Sequence, residues 1–354
     1  MTDQSEREPP VRRILIVRLS ALGDVVMASG LVPALRARYP GAELTWLTQA
    51  ASAPLLRHNP RLDHVLIWPR ERWRELRRTR QWRVLWREIL GFTGGLRARQ
   101  FDLVLDAQGL LKSGVWARLS GSKRRIGLMP REGTKLLFHE RVEPPAGADV
   151  RMGSEYRFLA RYLGAPDDSF KPDLAVGECA RLKARAALAG AGVTRRYAVI
   201  CPFTTRPQKH WFDEHWVELI KGLDRAGWSV VILGGPDDRR GAEAIVGSAP
   251  AAVSMAGRLA LDESVAAVAD AALLIGVDTG LTHMGSALGV PTVALFGSTR
   301  PYLDAAVSAT TILYEQLPCS PCGRHPTCGG TFDCMRQLTP RRVLDEAMQV
   351  ASSA

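Results

Sequence analysis

With 354 residues, the chain is long enough for two domains of ordinary size rather than one. Its composition, 46% hydrophobic and 23% charged, is that of a globular protein, and no apolar run approaches the roughly 18–20 residues that cross a bilayer as a helix. A net charge of +11 asks for an anionic partner, whether nucleic acid, acidic membrane or phosphorylated substrate.

Residues 1–12 lack the hydrophobic core of a secretion signal, so a short disordered tail and a cytoplasmic protein with reduced cysteines are expected. The first strand pattern is Arg13–Leu19, followed by a loop at Ser20–Asp24 and a helix pattern to about Tyr39. Strand patterns recur at Leu44–Leu47 and Val65–Ile67. Between Arg70 and Arg99 ten arginines face three glutamates, Glu71, Glu75 and Glu88. Trp82, Leu85, Trp86 and Ile89 fall on one helical face there. That face either packs inward and leaves the arginines solvated, or presents Arg77, Arg78 and Arg80 to an anionic ligand. Trp73, Trp82 and Trp86 interleave the charge as base-stacking residues would, but the stretch has no RNA or DNA motif, so no nucleic-acid partner is expected.

After a further strand pattern at Phe101–Asp106, the chain is interrupted at Pro144-Pro145 and at Gly164–Lys171. A second strand-first unit begins at Tyr197–Phe203 and continues through Ser229–Gly235, Ala272–Gly276 and Pro291–Gly297. These continuous apolar runs suit parallel strands covered on both faces. The expected organisation is two doubly wound α/β domains, residues 13–172 and 173–335, joined near 165–180 and facing a cleft. A closing helix from Pro340 to about Val350 lies in the last segment, 336–354.

Ligands of such sheets bind beyond the carboxyl ends of the strands, and four polar motifs follow strand patterns here. Arg18-Leu-Ser-Ala-Leu-Gly-Asp-Val25 has one glycine, Gly23, where a nicotinamide fingerprint needs three, which disfavours a dehydrogenase. Asp24 is either a helix cap or an acid–base group. In Asp106-Ala-Gln-Gly-Leu-Leu-Lys-Ser113, Gln108 and Lys112 either hold sugar or phosphate or form a solvated turn. Pro202-Phe-Thr-Thr-Arg-Pro-Gln-Lys-His-Trp211 sets Thr204, Thr205 and Lys209 where hydroxyls and a cation suit a diphosphate. Gly276-Val-Asp-Thr-Gly-Leu-Thr-His283 opens a helix whose start, Asp278, Thr279 and Gly280, is an anion site by its free N–H groups. His283 is a core histidine or a ligand to the nucleotide sugar.

With these four motifs in order, the chain resembles the bacterial lipopolysaccharide heptosyltransferases, glycosyltransferase family nine, and within them the type I branch most closely. The matching pieces are S-A-L-G-D-V at 20–25, D-A-Q-G-L-L-K-S at 106–113, T-T-R-P-Q-K-H-W at 204–211 and V-D-T-G-L-T-H at 277–283. The resemblance implies the GT-B architecture, two Rossmann-like domains across a central cleft. It implies transfer of heptose from ADP-heptose to a lipid A–Kdo type acceptor at the cytoplasmic face of the inner membrane, with inversion at the anomeric carbon. It makes Asp24 the catalytic base and lines the donor site with Thr204, Thr205, Lys209, Asp278, Thr279, Gly280 and His283. An acidic residue near the adenosine ribose is implied in Gly234–Asp238, with the register open between Asp237 and Asp238. The alternatives are a nucleotide-sugar transferase of the same family acting on another acceptor, and a nucleotide-sugar epimerase, which shares the fold and consumes no acceptor.

No D-x-D motif precedes a sugar-nucleotide site, so no catalytic metal or other cofactor is expected. Cys319, Cys322, Cys328 and Cys334 depart from the type I pattern. Four thiolates at this spacing are candidates for a structural zinc or iron site, with free thiols as the alternative.

Overall fold

The computed structural model describes residues 10–145, 147, 149–305 and 309–353, so the tail expected at 1–12 lies mostly outside the described residues. Twelve strands form two six-stranded parallel sheets. The first contains β1 (Arg13–Val17), β2 (Glu43–Gln49), β3 (His64–Trp68), β4 (Leu103–Asp106), β5 (Arg124–Leu128) and β6 (Glu140–Val142), in the order β3-β2-β1-β4-β5-β6. The second contains β7 (Tyr197–Cys201), β8 (Ser229–Ile232), β9 (Ala252–Ser254), β10 (Leu273–Val277), β11 (Thr292–Phe296) and β12 (Thr310–Tyr314), in the order β12-β11-β10-β7-β8-β9. Numbered within its own half, each sheet has the doubly wound order 3-2-1-4-5-6. The two α/β halves with parallel sheets that the apolar runs implied are therefore present.

The apolar runs of the central strands, Ile14–Val17 in β1 and all of β10, are buried. Strand patterns that ran into Gly or Pro end earlier: β8 stops at Ile232, before Gly234-Gly235. The helix pattern to Tyr39 is two helices, Leu22–Ala28 and Leu31–Arg38. They break at Ser29-Gly30, where a Cβ on Gly30 would lie 2.7 Å from the Phe170 ring.

The chain crosses between the halves as an extended segment before the helix Glu178–Gly190. The halves do not meet through polar surface alone. One hydrophobic cluster runs from Ile14, Val26, Leu31 and Tyr156 in the first to Val265, Met284, Phe296 and Tyr302 in the second. The helix Pro340–Ser352 buries Val343, Ala347 and Val350 in the core beneath β10, β11 and β12.

Candidate active site

In a sheet of order 3-2-1-4-5-6, the crevice opens where neighbouring strands carry their connections to opposite faces. Here that is between β1 and β4 in one half and between β7 and β10 in the other. The four motifs follow these four strands, so the folding of each half brings its two motifs side by side.

Asp24 sits in the first turn of the helix Leu22–Ala28 after β1. Its Oδ2 accepts the Ala21 N–H at 3.0 Å and an Arg18 N–H at 2.6 Å, while over a third of the side chain stays open to solvent. It therefore caps the helix and still faces the cleft. Arg18 is buried, donates to the Ala107 carbonyl at 2.8 Å and lies over the Tyr156 ring, so its position is fixed from three sides. The half-buried Glu155 lies nearby, its carboxyl raised by desolvation and, more weakly, by the charge of Asp24.

The β4 motif is built inward. Asp106 is fully buried and accepts the Gln108 and Gly109 N–H groups and the Ser113 hydroxyl. Burial outweighs these bonds and raises its pKa to about 6. Gln108 accepts the Leu19 N–H at 2.9 Å, tying this loop to the Asp24 loop. Lys112 donates to the Ser20 hydroxyl at 3.1 Å, and desolvation followed by the charges of Arg70 and Arg18 lowers its pKa.

On the facing half, Lys209 donates to Asp278 Oδ2 at 2.5 Å, and the Thr299 hydroxyl donates to the same oxygen. Asp278 Oδ1 lies 3.1 Å from His283 Nε2. Burial alone would raise this carboxyl, but the hydrogen bond and charge of His283, with the charge of Lys209, hold it well below the usual carboxylate range. An ionised carboxylate only accepts, so Nε2 carries the proton and Nδ1 faces the Tyr302 hydroxyl at 3.1 Å. Thr279 is the extended N-cap residue of the helix Gly280–Ala287, whose first N–H groups have no intrahelical partner. The Thr204 and Thr205 hydroxyls have no hydrogen-bond partner among the described residues, unlike the lysine beside them. Asp238 is consumed by capping Gly235, which leaves Asp237 as the exposed carboxylate of that turn.

The helices after β1 and β10 touch. A Cβ on Gly23 would lie 2.8 Å from the His283 ring, and one on Gly280 would lie 3.1 Å from Leu22 Cβ. The two glycines let the Asp24 helix meet the helix Gly280–Ala287 directly. Beside this contact a cavity of about 810 Å³ opens between the halves, walled by Met27, Glu155 and Phe158 on one side and Arg300 and Tyr302 on the other.

Sequence reasoning missed Arg18, Glu155, Thr299 and Tyr302 as members of the cluster. The last two lie in Gly297-Ser-Thr-Arg-Pro-Tyr302, directly beyond β11, and that strand-end position was the available signal. Of the two readings left open for the 82–89 face, inward packing holds for Leu85 and not for the tryptophans. Leu85 is buried, whereas Trp82 and Trp86 are exposed. The four cysteines share one loop region and perturb one another electrostatically, yet no three His, Cys, Asp or Glu groups among the described residues converge as metal ligands.

Two Rossmann-like halves that meet through the helices after β1 and β10 define the GT-B class. The model of glycosyltransferase family 9 (heptosyltransferase) matches residues 89–330. The chain is 31% identical to lipopolysaccharide heptosyltransferase 1 of Pseudomonas aeruginosa over 96% of its length and 98% of that protein's. Among solved structures it superposes on a family 9 glycosyltransferase from Veillonella parvula with a TM-score of 0.80 at 19% identity, covering 97% of this chain and 98% of that one. It superposes on the ADP-heptose heptosyltransferase II of E. coli with a TM-score of 0.76 at 24% identity, covering 96% and 99%. The protein belongs to glycosyltransferase family 9, the heptosyltransferases, which sets the epimerase alternative aside.

Proposed function

We propose that this chain transfers heptose from ADP-heptose to the inner core of lipopolysaccharide, with Asp24 as general base and Lys209 as the principal cation at the leaving diphosphate. The observation that carries the reading is the direct contact of the Asp24 helix with His283 and the Gly280 helix start. It sets a carboxylate opposite an anion site across one cleft. In this reading residues 13–172 bind the acceptor, residues 173–335 bind the donor, and 336–354 close the chain.

Asp24 takes the proton from the acceptor hydroxyl as that oxygen attacks the anomeric carbon. The pairing with Arg18 holds the carboxylate aimed. The bond to the diphosphate breaks on the opposite side, so the centre inverts. Lys209, the free Thr204 and Thr205 hydroxyls and the N–H groups at Thr279 and Gly280 receive the charge that develops on ADP, and no metal ion is required for that step. Asp278 and His283 orient Lys209 and the sugar. Gln108 and Lys112 hold the acceptor side of the cleft with Gly23. The acceptor is a lipid A–Kdo type molecule, and the enzyme works on the cytoplasmic face of the inner membrane.

The four cysteines bind a structural zinc or iron in this proposal, apart from the chemistry. The sulfur donors suit either metal; backbone N–H groups of Phe332 and Gly330 lower the Cys328 thiol, while burial raises those of Cys322 and Cys334 until a metal ion binds them. Elemental analysis of protein purified without chelator decides this, and a metal content near zero rejects it. The transferase reading is tested by incubation with ADP-heptose and candidate acceptors, scoring both ADP release and acceptor mass. ADP release without a heptose mass increment on any Kdo-bearing acceptor overturns it.

A further inference from the structure

The helix Trp82–Ala98 has two unlike faces. Its inner face is fastened: Leu85 and Leu96 are buried, Phe92 packs edge-on against Trp73 and Trp116, and Glu88 accepts the Trp73 indole N–H. Its outer face carries Trp82, Trp86 and Leu90, which are 48%, 60% and 68% exposed. A spacing of four residues lines these three up as one apolar stripe. Among the described residues, no other segment covers it.

The stripe lies in strongly cationic surroundings. Arg83 and Arg87 follow its tryptophans around the same helix, and Arg74, Arg77 and Arg80 project from the preceding helix, Arg70–Arg78, and its turn. None of these five forms an ion pair among the described residues, whereas Arg72 and Arg78 are matched by Glu88 and Glu75. That preceding helix starts beyond the carboxyl end of β3, at the same sheet edge as the Asp24 loop, and Arg70 lies close enough to Lys112 to lower its pKa.

We propose that the Trp82–Trp86–Leu90 stripe is a membrane-docking surface that enters the headgroup region of an anionic phospholipid bilayer. Indole rings favour that region because they are apolar with one polar N–H, and the unpaired arginines neutralise lipid phosphates around them. A second copy of this chain fits the surface poorly, since it would bring the same arginines against each other. The arrangement fixes the enzyme with its catalytic sheet edge toward the bilayer, where a lipid-linked acceptor lies. In that respect it deepens the function proposed above and rests on it.

The test uses the full chain and vesicles without either substrate. The protein should sediment with phosphatidylethanolamine–phosphatidylglycerol vesicles and remain free of phosphatidylcholine vesicles. W82S/W86S/L90S should lower the anionic partition coefficient by roughly tenfold or more, with an unchanged thermal transition and an unchanged rate on a soluble, deacylated acceptor. W82F/W86F keeps the surface apolar; it should still bind, but lose the quenching of tryptophan fluorescence by lipids brominated in the acyl chains. Wild-type protein that ignores anionic vesicles, a triple variant that binds as wild type, or quenching that survives in W82F/W86F each overturns the proposal. Vesicle binding through the stripe in a protein without heptose transfer would instead sink the function and leave the docking surface standing.

Discussion

Asp24 and Arg18 show how one ion pair serves two purposes. The carboxylate caps its own helix and faces the cleft, while the buried guanidinium cannot follow it elsewhere. Asp24→Asn should keep the cap and lose the base, lowering kcat by roughly 10²–10⁴-fold with ADP-heptose affinity unchanged. Near-normal kcat in folded Asp24→Asn protein removes the assignment. Lys209→Ala should weaken ADP binding by roughly 10–100-fold, the worth of one charge-assisted hydrogen bond, as read by calorimetry. An unchanged affinity takes Lys209 out of the donor site. Asp106 makes a separate prediction about stability. Its folded pKa of about 6 lies above the ordinary 3.8, so its contribution is fully present below about pH 4 and is lost as pH rises through 6. Ionising it in place costs up to about 3 kcal/mol. Asp106→Asn stays neutral, so its stability relative to wild type should rise between pH 4 and pH 7.5 in urea titrations. A difference that is the same at both pH values contradicts this.

At the scale of elements, the two cleft-facing helices depend on having no side chain at Gly23 and Gly280. Gly23→Ala would drive a methyl against the His283 ring, displacing either the histidine or the Asp24 helix. Misplacing a catalytic group by about 1 Å costs roughly 100-fold, so a fall in kcat of tenfold or more is expected with little change in thermal midpoint. Gly91→Ala is the control: its Cβ would meet nothing within 4 Å, and alanine is the better helix former, so it should keep full activity. Equal kinetics for the two variants would mean that the helix contact does not matter. The central elements were legible because buried parallel strands write themselves as unbroken apolar runs, and because the motifs sit at their ends. The outer ones were not. In β5, Arg124-Arg125 mask the apolar half; β6 and β9 have three residues each; β12 begins with two threonines. Arg18 was readable as a residue but not as a buried one, since only the fold brings Ala107 and Tyr156 around it. The face of the helix Trp82–Ala98 could not be assigned from sequence for a related reason. Spacing gathers Trp82 and Trp86 with Leu85, but the sheet beneath accepts only Leu85, and Trp73 from the neighbouring helix fills the remaining space.

For the whole molecule, the question is whether the two halves behave as one. The hydrophobic cluster that joins Ile14, Val26 and Tyr156 to Met284, Phe296 and Tyr302 crosses the cleft, and Arg151 and Asp304 add a strand-like bridge between the linker side and the loop beyond β11. Unfolding either half alone would expose apolar surface on the other, at roughly 25 cal/mol per Å². That coupling predicts one cooperative heat-capacity peak rather than two. ADP should move the whole peak upward, because a ligand that binds only the folded state stabilises everything that unfolds with its site, by about 2.7 kcal/mol at a hundredfold excess over Kd. Lys209→Ala should lower the ligand-free peak, because it takes a partner from the buried Asp278 carboxylate, and should also shrink the ADP-dependent shift. Differential scanning calorimetry with and without ADP reads both effects. Two resolved peaks of which only one responds to ADP would show that the halves unfold independently. The core drawn through Tyr302 and Met284 would then be a contact between separate domains rather than a shared interior.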